Sequence, residues 1–186
     1  MNSANPGILE RENTCLIVID VQERFRSVIH GFGEMAENAK KLIRAFRIFD
    51  IPVIVTEQNP EKLGRTIREL SNELGDFEPV EKLHFSCFGE ANFAEELAKL
   101  GRKQIVLCGI EAHICVLKTA LEGLKKGYEI HVASDAVSSR RQTDKDFALR
   151  RMSQSGVFLT TSESLIFQLM ERAGTEEFRK VKDIVK

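Results

Sequence analysis

The chain has 186 residues, 42% of them hydrophobic and 30% charged, with a formal net charge of −1. That length suits one domain with a sizeable core, and the balanced charge leaves no electrostatic footprint for nucleic acid or an anionic membrane. No apolar run approaches the ~20 residues that span a bilayer, and the opening Met-Asn-Ser-Ala-Asn-Pro-Gly lacks the basic-then-apolar pattern of a signal peptide, so the expected location is cytoplasmic.

Residues 1–13 are polar with Pro6-Gly7 and read as a loose amino-terminal arm; residues 14–186 read as one domain. Residues 14–20, Thr-Cys-Leu-Ile-Val-Ile-Asp, form a continuous apolar strand that ends in a carboxylate. After a connector at 21–33, Ala39, Leu42, Ile43 and Phe46 share one face of a helix running to about Phe49. Pro52 opens a second strand at 53–56, followed by Glu57-Gln58-Asn59-Pro60, a turn signal. Ile67 and Leu70 suggest a short helix, and 80–85 a short extended segment carrying Lys82 and His84. A helix at 93–100 is closed by Gly101. A strand at 105–108 follows, then a helix with Ile114, Leu117, Leu121 and Leu124 on one face. Residues 128–133 read as a strand. Thr143-x-x-Asp146 reads as a capping box before a helix at 147–155, and 157–159 as the last strand. Helices at 162–171 and 176–185 close the chain.

Strand–helix alternation of this kind implies a three-layer α/β/α, doubly wound, mostly parallel sheet of about six strands. The carboxyl ends of the strands, where such folds bind ligands, would then carry Asp20, Glu57, Gln58, Cys115 and Asp135. Cys115 draws attention first. It follows a strand and opens a helix, whose free N–H groups favour a thiolate of low pKa and can hold an oxyanion. Asp20 is the candidate base and Lys82 the candidate cation; by spacing alone, a capping aspartate and an exposed lysine explain them as well. Cys15 and Cys108 lie in apolar runs, as core cysteines do. No Cys or His pair has metal-ligand spacing, so neither a zinc site nor a disulfide framework is expected.

Three ordered motifs carry a resemblance. Leu-Ile-Val-Ile-Asp-Val-Gln at 16–22, Lys-Leu-His-Phe-Ser-Cys-Phe at 82–88 and Gly-Ile-Glu-Ala-His-Ile-Cys-Val at 109–116 resemble the signatures of the isochorismatase-like cysteine hydrolases. The run at 133–140 is also similar, and Thr-Glu-Gln-Asn-Pro at 56–60 resembles the branch called isochorismatase domain-containing proteins. The resemblance spans roughly residues 14–170. It implies a Rossmann-like fold and a catalytic triad of Asp20, Lys82 and Cys115. It also implies a cis peptide at Ile110-Glu111 and an oxyanion hole made by the N–H groups of Glu111 and Cys115.

Metal-binding relatives carry an Asp-x-His pair between the aspartate and lysine motifs. Here that interval holds only His30, so no metal and no other cofactor is expected. A retained Cys115 argues for acyl chemistry at a carbonyl or nitrile carbon. The expectation is a metal-independent cysteine hydrolase that cleaves a small-molecule amide through a thioester. The alternative is a non-catalytic scaffold that keeps the fold. Phe25, Gln58 and Ile110 are expected to line the pocket; Phe85 and Phe88 flank it, and each fits core packing equally well. His113 fits a helix-cap role better than substrate contact, and Ser138-Ser139-Arg140-Arg141 a solvated loop better than a phosphate site. A homo-oligomer, dimer or larger, is implied by resemblance; no nucleic-acid or membrane partner is expected.

Overall fold

A computed structural model describes residues 6–185. The strands are β1 (Thr14–Ile19), β2 (Val53–Gln58), β3 (Val80–Lys82), β4 (Gln104–Ile110), β5 (Glu129–Ser138) and β6 (Phe158–Thr160). They form one sheet in the order β3-β2-β1-β4-β5-β6, every pair parallel. That is the doubly wound order in which the chain reverses direction between β1 and β4.

Parallel strands buried on both faces need apolar residues throughout, and β1 and β4 are buried at every position. Successive side chains point to opposite faces, so each strand feeds two cores. Leu16, Val18, Val106, Cys108 and Ile110 serve one; Ile17, Ile19, Ile105 and Leu107 serve the other. The first core is closed by α1 (Phe32–Ile48), α3 (Arg68–Leu74), α7 (Ser162–Gln168) and α8 (Glu176–Val185). The second is closed by α4 (Ala91–Leu100), α5 (Leu117–Lys125) and α6 (Gln142–Gln154). The expected face of α1 is fully buried at Ala39, Leu42, Ile43 and Phe46, and each large side chain there contributes ~1.5–3 kcal/mol. Among the described residues no helix is long and apolar enough to cross a membrane.

Several local expectations are corrected. Residues 1–5 of the arm lie outside the described residues, but the rest is tied down rather than loose. Leu9 is buried in the first core, the Glu10 N–H donates to Gln104 Oε1 at 2.7 Å, and Arg11 pairs with Glu177 through both Nη groups at 2.7 Å. Thr143 and Asp146 form no capping box: α6 already starts at Gln142, and Asp146 accepts a bond from the Gln142 side chain instead. Thr161 is a working cap, its hydroxyl accepting the Ser164 N–H of α7. Strand β5 runs to Ser138 rather than 133, because it bulges. Two steps along β4, from Leu107 to Gly109, match five along β5, from Val132 to Val137. The stretch between β2 and β3 holds α2 (Pro60–Leu63), with Pro60 in the first helical position that suits its missing N–H, and α3.

Candidate active site

Four neighbouring strands end at one place. Asp20 follows β1, Gln58 ends β2, Lys82 ends β3, and Cys115 lies just beyond β4. Gln58 and Lys82 are register partners. The chain at Asp20 turns with φ 54, a left-handed conformation that Asp and Asn tolerate better than other side chains. The close approach of β4 to β1 depends on Gly109. Its φ is +110, and a Cβ there would sit 2.0 Å from the Ile19 carbonyl oxygen.

The segment after β4 differs from the expected strand ending at 108 and followed by a regular helix. β4 continues to Ile110, the Ile110-Glu111 peptide is cis, and residues Ala112–Val116 form a π-helical turn ahead of α5. The N–H groups of Ile114 and Val116 both donate to the Glu111 carbonyl, at 3.0 and 3.2 Å. Single π turns of this kind occur often at functional sites. Here it carries Cys115.

The three groups singled out from the sequence meet. Asp20 Oδ2 lies 2.6 Å from Lys82 Nζ, and Asp20 Oδ1 accepts the Thr56 hydroxyl at 2.7 Å. The Cys115 thiol lies beside the Asp20 carboxylate, close enough for that charge to bear on its proton. Lys82 Nζ also donates to Gln58 Oε1 at 2.6 Å and to the His84 carbonyl at 3.3 Å. Asp20 and Lys82 are 1% and 2% exposed, so their charges meet out of water. Removing one partner of such a pair typically costs ~3–5 kcal/mol.

Burial dominates the proton affinities. It lifts the Asp20 carboxyl above the ordinary carboxylate range, although Lys82, the Thr56 hydroxyl and the neighbouring thiol oppose it. Burial pulls the Lys82 ammonium down, but Asp20 and the Cys115 and Cys87 sulfurs outweigh it and leave Lys82 raised. The low thiol pKa expected for Cys115 is overturned. Burial first, then the Asp20 charge, push it up to about 12, with Lys82 pulling only part of the way back. A paired Asp20 and Lys82 offer the thiolate almost no net positive charge.

Above Cys115 opens a cavity of about 480 Å³. Phe25, Gln58, Ile110 and Phe85 line it as expected from the sequence, joined by Val28, Leu63, Ile114 and Arg140. Val28 lies in the connector after β1 and Leu63 at the end of α2, and neither gave a signal of its own. Arg140 belongs to the run read as a solvated loop; its backbone N–H and Nε–H instead donate to Glu111 Oε2, at 3.0 and 3.1 Å. Phe88 faces away, packing edge-on against Phe93 and beside Tyr128. Glu57 turns from the site to accept the Thr66 N–H and hydroxyl at 2.6 and 2.8 Å, while Asp135 accepts from Ser162. His84 pairs with Glu90, and His113 with the Ser139 hydroxyl. Gln22, fully buried, donates to the Gln58 and Gly64 carbonyls and clasps the two site loops together. Among the described residues, no three His, Cys, Asp or Glu side chains are grouped to hold a metal.

Comparison with known proteins places the fold. Residues 14–164 match the Isochorismatase domain family. Isochorismatase domain-containing protein 2 of Danio rerio is 42% identical over 183 residues, 98% of this chain and 91% of that protein. The solved structure of MAR1 ribonuclease from Caenorhabditis elegans superposes with a TM-score of 0.89 at 40% identity, covering 95% of this chain and 91% of that one. The YcaC gene product of Escherichia coli, described as an octameric hydrolase of unknown specificity, superposes at 0.82 with 22% identity, over 87% and 81%. The chain therefore belongs to the isochorismatase family, whose fold it shares from β1 to α7.

Proposed function

We propose that this protein is a cysteine hydrolase of small-molecule amides that works through a thioester without a metal. One observation carries the reading: a thiol beside a buried carboxylate, itself paired with a buried lysine, on the floor of a largely apolar cavity. Asp20, whose raised pKa suits a general base, takes the Cys115 proton as the sulfur attacks the carbonyl carbon. The N–H groups of Glu111 and Cys115 receive the oxyanion; losing one such donor typically costs on the order of 10²–10³ in rate. Asp20 returns the proton to the leaving nitrogen, and ammonia or an amine departs. Asp20 then deprotonates a water that attacks the thioester, and the released thiol recovers the proton as the acid leaves. Lys82 steadies Asp20 through both of its charge states.

Two supporting readings go with it. All four cysteines are free, which fits a reducing compartment such as the cytoplasm. A homo-oligomer is proposed, dimer or larger, to be read by light scattering. The competing reading takes its cue from the name of the Caenorhabditis elegans ribonuclease. The cavity above Cys115 is largely apolar, which suits a small molecule better than an RNA backbone. The test is ammonia release from a panel of small amides, run beside an RNA cleavage assay. Cys115→Ala should reduce amide turnover to background with an unchanged circular dichroism spectrum. Turnover that survives this substitution would sink the covalent mechanism.

A further inference from the structure

The cavity wall is apolar around most of its circumference, through Phe25, Val28, Leu63, Phe85 and Ile114. One cation interrupts it. Arg140 lines this cavity and also an adjoining one of about 350 Å³, which it shares with His113, Arg141 and Asp144. The arm of Arg140 is fixed at two points, because its backbone N–H and its Nε–H both donate to Glu111 Oε2. Glu111 is itself 7% exposed and therefore a rigid anchor. A guanidinium carries five N–H donors, and the Glu111 contact uses one. Among the described residues, no hydrogen bond engages the Nη groups of Arg140, and its ion pair with Glu111 is closest through Nε. An open guanidinium fork, held by its inner edge on an apolar wall, has the geometry that reads a carboxylate.

Glu111 links the two ends of the cavity. Its backbone lies at the Cys115 turn, and its side chain holds the arginine. The distance between the reacting centre and the cation is thus set by one residue rather than by a floppy loop. We propose that Arg140 is a specificity-determining residue, and that the amide cleaved at Cys115 carries a carboxylate at its far end, across a short apolar spacer. This inference rests on the amide-hydrolase reading above. Because Glu111 balances part of the arginine charge and the side chain is 58% exposed, the expected preference is modest, about tenfold.

The test uses the full chain carrying Cys115→Ala, which binds amides without turning them over. Succinamate, glutaramate and adipamate are each titrated by calorimetry against the corresponding neutral diamide. At least one acid should bind about tenfold more tightly than its diamide, and adding Arg140→Gln should bring that ratio to about one. Arg140→Lys, which keeps a charge beside Glu111 but loses the fork, should give an intermediate ratio. Equal binding of every acid and diamide, no binding of either, or a preference that survives Arg140→Gln would each overturn the proposal. The underlying reading fails separately. If acids bind through Arg140 but the unmodified protein releases no ammonia, the subsite stands and the hydrolase does not. If diamides are hydrolysed as well as the acids, the hydrolase stands and the subsite does not.

Discussion

Replacing Asp20 by Asn should accelerate chemical labelling of Cys115 while abolishing hydrolysis. The carboxylate's charge is one of the two main causes that push the thiol up to about 12, burial being the larger. Asn keeps the side-chain shape and accepts the left-handed backbone at φ 54. Without the carboxylate, Lys82 loses its counter-ion and faces the sulfur alone. A unit charge about 4 Å away is worth ~4 kcal/mol at an effective dielectric near 20. That corresponds to roughly three pKa units at ~1.36 kcal/mol each. Lys82 keeps its bonds to Gln58 and the His84 carbonyl, which blunt its pull, so about two units are expected. Below the thiol pKa, two units raise the thiolate fraction about a hundredfold. Iodoacetamide reacts with the thiolate, so labelling of Cys115 at pH 8 should quicken by about that factor. Peptide mass spectrometry reads it, with the buried Cys15, Cys87 and Cys108 as internal references. Hydrolysis should vanish, because nothing is left to take up and return the proton. Labelling no faster than in the parent would refute the view that Asp20 keeps the thiol protonated, and surviving turnover would refute its role as base.

Two further substitutions probe the frame. Gly109→Ala places a Cβ 2.0 Å from the Ile19 carbonyl oxygen, at a backbone φ of +110, and neither central strand can retreat. Its urea midpoint should fall by the equivalent of at least about 3 kcal/mol, and an unchanged midpoint would show that β1 and β4 are not so tightly apposed. His131 is buried against Phe158 and bonded to Glu129, and burial, only partly opposed by Glu129, lowers its pKa from the ordinary 6.5. Both states are neutral there above pH ~6.5; below it the unfolded chain takes up a proton that the folded chain resists, so stability falls as pH drops below about 6.5. His131→Phe should flatten that part of the pH–stability curve, and an equally steep curve would show that another group causes it.

The parallel sheet was legible because its central strands are unbroken apolar runs, and the helix faces because Leu42, Ile43 and Phe46 recur at helical spacing. What escaped followed physical rules with no sequence period. The end of β5 is hidden by a bulge, which breaks the alternation that marks a strand. Thr143 and Asp146 have capping-box spacing, but that spacing also occurs inside a helix, where they lie. The π turn at Cys115 depends on the Val116 N–H reaching the Glu111 carbonyl, a five-residue step that a 3.6-residue reading cannot register. Asp20, Lys82 and Cys115 are far apart in the chain, and spacing alone left them ambiguous; resemblance singled them out. The thiol pKa was misjudged because it depends on how closely Asp20 and Lys82 pair in space. Arg140 escaped because a polar run reads as surface until Glu111 is seen to hold it.

The left-handed backbone at Asp20 narrows what can replace it. Gly and Asn suit that conformation, yet neither can shuttle a proton; Glu brings a carboxylate but is a methylene longer and less at ease there. A descendant freed from selection for turnover would therefore drift most cheaply to Asn or Gly at this position, with the sheet undisturbed. The identity of the residue after the first strand thus becomes a diagnostic letter. Across a set of related sequences, Asp there would mark working hydrolases, and Asn or Gly would mark copies that retain the architecture after giving up the reaction.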